Sequence, residues 1–205
     1  FNFYSSGSNN LSNTNHLSTT VINDLNYIST NYYSNFGSKV NYGIYFKNSN
    51  SIKKNDLVHK NSPKVLAANL IEMSASFPLS KTSKKYYEVI TPKISFRANP
   101  INNMMDYSSS KNMVGAGNVF NINRLGISDT FEAGKSLTLG IDYKFELPDN
   151  VKNISSDDLL DTDFDETITK SIEFKLATVL RDQTETFISP ASTINRTNSN
   201  LMGTV

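Results

Sequence analysis

With 205 residues, 20 Lys and Arg against 19 Asp and Glu, and a pI near 8.0, the chain has the bulk of one ordinary domain and no charge excess that would draw a nucleic acid. It has no cysteine, which excludes disulfides, thiolate metal sites and a cysteine nucleophile. Asn and Ser make up about a quarter of it, which favours turns and hydrated loops over long helices. The longest apolar runs are four or five residues, against the roughly 20 that a membrane helix needs, so a membrane-spanning form has to use strands. Residues 1–10 show no basic region followed by an apolar run, the first residue is Phe1, and residues 201–205 look like the start of a strand. The chain therefore reads as an internal piece of a longer protein.

The dominant periodicity is two. Residues 1–4 read as a strand end and 18–30 as a weak strand. Residues 40–47 are a clear one, with Val40, Tyr42, Ile44 and Phe46 opposing Asn41, Gly43 and Lys47. In 63–77, Val65, Ala67, Ile71, Met73, Ala75 and Phe77 share a face that Asn69 interrupts, while Leu66, Ala68 and Leu70 occupy the other; a bulge or a strand covered on both faces accounts for that. Residues 90–97 alternate Ile90, Pro92, Ile94 and Phe96 with Thr91, Lys93, Ser95 and Arg97. Residues 135–146 place Leu137, Leu139, Ile141, Tyr143 and Phe145 against Ser136, Thr138, Asp142 and Lys144, and 170–181 repeat the pattern with Ile172, Phe174, Leu176 and Leu180.

The polar links between these segments tend to alternate in length. Long ones are expected at 5–17, 48–62, 98–134 and 182–200, and short ones at 31–35 and 78–85, an asymmetry known in outer-membrane barrels. The link 147–169 falls where a short turn belongs, yet it is long and acidic, and reads as an insertion. A soluble β-sandwich also alternates, but the alternation of 135–146 is long for a soluble strand, which averages about 5 to 6 residues. Apolar residues scattered through 98–134 need somewhere to be buried, so this link is expected to pack over or into the barrel mouth.

Candidate chemistry is thin. Asp161, Asp163 and Asp165 have the spacing of the first ligands of a calcium loop, but Glu166 stands where glycine is needed and Ile172 where the bidentate Glu should be. The only histidines, His16 and His59, fall in links without a fixed Ser partner, which argues against an outer-membrane hydrolase. Gly115, Ala116 and Gly117 lack the Lys-Ser or Lys-Thr of a phosphate loop and read as loop flexibility. In 121–134, Arg124 and Asp129 are expected to tie the long link to itself as a charge-assisted pair. No cofactor or metal site is expected.

From Tyr87 onward the chain resembles the barrel domain of the LPS-assembly family (LptD, or organic solvent tolerance proteins). Ile90-Thr-Pro-Lys-Ile-Ser-Phe-Arg97 is similar to the family strand carrying Pro92, Lys93, Phe96 and Arg97. Phe120-Asn-Ile-Asn-Arg-Leu-Gly-Ile-Ser-Asp129 resembles its loop motif through Asn123, Arg124, Gly126 and Asp129, and the strand 135–143 follows in order. The resemblance implies an all-β fold, an antiparallel transmembrane β-barrel segment of about eight or nine strands, with residues 1–205 an internal part of the barrel domain. It implies a non-enzymatic role in inserting lipopolysaccharide into the outer leaflet of the bacterial outer membrane. The implied partners are an LptE-like plug lipoprotein, an LptA-like periplasmic bridge acting through an N-terminal domain outside this chain, lipopolysaccharide and outer-membrane lipid. Leu137, Leu139, Ile141, Tyr143 and Phe145 are then expected to face lipid, and Met104, Met105, Tyr107 and Met113 to contact the plug. A general porin or transporter barrel is the alternative, and a hydrolase a more distant one.

Overall fold

The computed structural model describes residues 1–12, 16–55, 63–83, 86–100, 112–127, 130–147, 170–186 and 188–205. Its strands are β1 (Asn2–Ser12), β2 (His16–Ile28), β3 (Tyr32–Tyr33), β4 (Lys39–Lys54), β5 (Lys64–Ser76), β6 (Leu79–Thr82), β7 (Tyr87–Asn99), β8 (Gly134–Leu147), β9 (Lys170–Arg181) and β10 (Met202–Thr204). All lie in one antiparallel sheet in the order β1-β2-β4-β5-β7-β8-β9-β10, with β3 beside β4 and β6 beside β7. The sheet is open, with β1 and β10 at its edges. The all-β antiparallel reading holds.

Each ladder from β4 to β9 runs in constant register, so a row of side chains can be followed across the sheet. One row is Gly43, Glu72, Arg97, Ser136 and Arg181; the next is Asn41, Ser74, Ser95, Thr138 and Val179. The row between them, on the opposite face, is Tyr42, Met73, Phe96, Leu137 and Leu180. Because side chains alternate with period two, this register puts the polar set on one face and the apolar set on the other.

Several expected boundaries shift. The link 5–17 is not a long loop: Ser5–Ser12 pair residue for residue with His16–Asn23, leaving only 13–15 between the strands. Likewise β4 continues to Lys54, so 48–54 are strand rather than loop. The physical reason is that Asn, Ser and Thr side chains pair with each other across the strands: Ser5 Oγ donates to Asn23 Oδ1 at 2.7 Å, Thr19 Oγ1 to Asn9 Oδ1 at 3.0 Å, and Asn23 Nδ2 to Asn48 Oδ1 at 3.4 Å. His16 accordingly opens β2, opposite Ser12 at the exposed hairpin end, rather than lying in a loop. No bulge interrupts β5, whose pairing with β4 is continuous; instead Leu70 and Ala68 are buried on the polar face while Ile71 and Met73 are exposed on the other.

The short links are also tighter than expected. The first is a turn at 34–38, closed by Ser34 and Ser38 backbone bonds, with Gly37 at φ 83° supplying the left-handed residue. In the second, β6 continues the line of β5 past Phe77 and Pro78, because Leu79–Thr82 pair with β7 in the register that β5 already holds. Phe77 N–H donates to Pro92 O at 3.0 Å, so the missing Pro92 donor points at this same join and its ladder to β8 is untouched. The acidic link 147–169, with Asp161, Asp163, Asp165 and Glu166, lies outside the described residues apart from Leu147.

The hydrophobic core lies off the strand faces that alternate most clearly. It is formed on the polar side of the sheet by Val114, Val119, Leu125, Ile127 and Ala133 of the 100–133 connection, Ile188 and Ile194 of the 182–201 connection, and Ala177 and Val179 of β9. Both connections leave the same end of the sheet and fold back over it.

The cysteine-free chain allows the register to be tested directly. Ile94→Cys with Leu139→Cys, which face each other, should close a disulfide under mild oxidation, whereas Ile94→Cys with Gly140→Cys should not. Cross-linking of the second pair alone would mean a one-residue slip and exchanged faces.

Candidate functional site: a buried charge network beneath docked loops

The sequence Asn123-Arg-Leu-Gly126 builds a turn. Asn123 Oδ1 accepts from Ile127 N–H and its Nδ2 donates to Ile127 O, both at 2.8 Å, while Gly126 N–H donates to Asn123 O at 3.1 Å. Gly126 sits at φ 69° with the Asn112 side chain where a Cβ would go, so glycine is required twice over. An Asn118 cap fixes the preceding segment: Gly115 N–H donates to Asn118 Oδ1 at 2.9 Å and Asn118 Nδ2 to Met113 O at 3.0 Å. The Gly115 to Gly117 run, read from sequence as flexibility, is therefore a hydrogen-bonded turn.

The turn drives Arg124 into the sheet, where it is 1 % exposed. Its Nε and Nη2 bond the Glu132 carboxylate at 2.6 and 2.5 Å, Nη2 also reaches Ser136 Oγ at 3.0 Å, and Nη1 reaches Thr138 Oγ1 at 3.0 Å and Val119 O at 3.2 Å. The partner expected from sequence was Asp129, which lies outside the described residues; the carboxylate that engages Arg124 is Glu132. Glu132 Oε1 also accepts from Arg181 Nη2, and Arg181 further donates to Ile194 O at 2.6 Å and Ala133 O at 3.0 Å. Glu132 thus ties its own connection to β9, and Arg181 ties the following connection to the same strand.

Beside it, Glu72 Oε1 accepts from Ser95 Oγ at 2.9 Å and from Arg97 Nε and Nη2 at 3.2 and 3.0 Å, and Arg97 Nη2 reaches Phe120 O and Asn121 O. Burial lowers the Arg124 guanidinium to about 10, against the opposing pull of the Glu72 charge, so it stays protonated at neutral pH. Two aromatic contacts complete the docking. Phe131 meets Tyr45 edge-on at 6.3 Å beneath Lys47 Nζ at 5.5 Å, and Phe120 lies on Gly140, where a Cβ would come within 2.7 Å of its ring.

Of the residues singled out from sequence, Asn123, Arg124, Gly126, Lys93 and Arg97 come together here. Lys93 Nζ pairs with Asp142 and lies 5.8 Å from the Phe120 ring. Pro92, Phe96, Leu137, Leu139, Ile141, Tyr143 and Phe145 occupy the other face. Met104, Met105, Tyr107 and His59 lie outside the described residues, and Met113 is exposed. Sequence reasoning passed over Glu72 and Arg181 and, of the two acids that 121–134 sets near Arg124, paired it with Asp129 rather than Glu132. The available signal was their phase: Glu72 and Arg181 fall on the polar positions of alternating strands, where solvated charge is the ordinary assumption.

Removing the shared carboxylate should be costly. Glu132→Ala is expected to destabilise the fold by about 3 to 5 kcal/mol, because it leaves two buried guanidiniums without a counter-charge; in denaturant titration Glu173→Ala, at an exposed pair, should leave the midpoint unchanged. Equal midpoints for the two variants would show the network to be solvated. Compared with known proteins, the chain matches no family model, no curated protein and no solved structure.

Proposed function

We propose that this chain forms part of the wall and surface loops of an outer-membrane β-barrel that assembles lipopolysaccharide, with its apolar face toward lipid and its polar face toward the lumen. The observation that carries this reading is the inversion of the two faces. A half-buried sheet in water covers its apolar side. Here Tyr42, Ile44, Ile71, Met73, Ile94, Phe96, Leu139 and Ile141 are all exposed, while Glu72, Ser95, Arg97, Ser136 and Thr138 are buried under loops. A contiguous apolar surface of that extent needs a covering, and a bilayer supplies one.

The slant of the apolar band supports the same reading. On β9 it runs from Ile172 to Leu180, and of its rows those of Thr178 and Leu180 reach β4, at Val40 and Tyr42, from which the β4 apolar set continues to Phe46. On β2 it is centred near Leu25 and Tyr27, which face Phe46 and Ile44. The band therefore climbs by roughly one to two residues per strand, as it must when strands cross a membrane tilted by about 35–45°. The residues that carry the family resemblance, Asn123, Arg124 and Gly126, are also those that build the docked turn. On this reading the protein is non-catalytic, and its partners are lipopolysaccharide, an LptE-like plug and an LptA-like bridge.

Two measurements test it. Ile141→Arg, at the middle of the apolar band on β8, should cost about 2 to 4 kcal/mol in refolding into lipid vesicles; a soluble protein unaffected or improved by that change would argue for a sheet that never meets lipid. Depletion in the source cell should lower surface-exposed lipopolysaccharide and admit large antibiotics, and intact surface lipopolysaccharide after depletion would point to the porin alternative.

A further inference from the structure

On the polar face, below the docked 100–133 connection, is a pocket of about 480 Å³ that the buried network leaves open. Its floor is made by the Lys39–Ser76–Lys93 row and the adjoining Asn41–Ser74 pair. Phe120 and Asn121 overhang it, and the Tyr45 ring, folded over Gly43, forms the side wall.

The charges of these groups are not all spoken for. Glu72 at the back is held by Arg97, and Lys93 by Asp142. Lys39 has no ion-pair partner among the described residues. The pocket therefore presents one uncompensated ammonium, a set of hydroxyl and amide groups, and two aromatic walls.

We infer that this pocket binds a sugar-sized ligand carrying one acidic group, a sugar phosphate or a sugar acid. Each part of that ligand has a counterpart. The ring's C–H face stacks on Tyr45 or Phe120, its hydroxyls donate to Ser74 Oγ, whose own proton goes to Asn41 Oδ1, and exchange hydrogen bonds with Ser76 and Asn121, and its anion meets Lys39. The volume lies in the lower part of the roughly 300–1,000 Å³ range of small-ligand pockets, enough for one or two sugar rings. The exposed groove of about 520 Å³ on the opposite face, around Pro92, Ile94 and Leu139, has no comparable polar set and makes a poor match for such a ligand.

Equilibrium dialysis of the whole chain in detergent tests this, with glucuronate, glucose 1-phosphate, glucose and inorganic phosphate as probes. At least one sugar anion should bind about tenfold more tightly than glucose or phosphate alone. The preferred anion distinguishes a carboxylate ligand from a phosphate one. Lys39→Gln should remove that preference and Lys39→Arg should keep it, and Phe120→Ala should weaken both sugar anions alike. Retention of the strand circular dichroism serves as the folding control. Glucose binding as tightly as the sugar anions, a preference that survives Lys39→Gln, or no binding by the folded wild-type chain would overturn the inference. None of these outcomes depends on lipid insertion, so the ligand site and the translocon reading stand or fall separately.

Discussion

Constant register from β4 through β9 is the constraint from which the other features follow. A single residue of slip in any one ladder would carry half the apolar set to the side where Arg97, Arg124 and Arg181 lie, and would split the cross-strand row that holds them. With the register kept, Glu72 and Arg97 stand opposite each other, Ser136 and Arg181 follow in the same row, and the turn at Asn123 has a flat polar floor to dock on. The network is as much a product of strand pairing as of its own charges.

Buried ion pairs of this kind are weak evidence for net stability, since dehydrating the charges offsets much of their attraction. Their contribution here is positional. Glu132 receives Arg124 from its own connection and Arg181 from β9, and the neighbouring connection supplies the Ile194 carbonyl, so lifting either loop strips the buried Arg181 of a partner. The small apolar core of Val119, Leu125, Ile188 and Ile194 then fills the space between them. Loops that carry the core over strands that carry the charge reverse the usual division of labour in a soluble sheet.

Sequence alone made the apolar strand halves legible because Leu137 to Phe145 or Tyr42 to Phe46 alternate without a break. The polar halves were not legible. Residues such as Ser6 to Asn10 and Asn48 to Ser51 have little intrinsic preference for strands, and only the neighbouring ladder, with its amide and hydroxyl pairs, makes them extended. The candidate site divides the same way. Asn123 and Gly126 show a turn in any context, whereas the bond from Arg124 to Glu132, eight residues on, depends on where the connection crosses the sheet, which local spacing does not encode.

Those polar halves have a consequence for how the chain assembles. In β1 and the upper parts of β2 and β4 both faces carry Ser, Asn and Thr, so burial there does not favour one alignment over its neighbours. The alignment is inherited from below, where Leu25 faces Phe46 and Tyr27 faces Ile44. Pairing must then proceed as a zipper closing from the apolar end toward the hairpin tips, and an error at the apolar end would be copied faithfully into every amide pair above it.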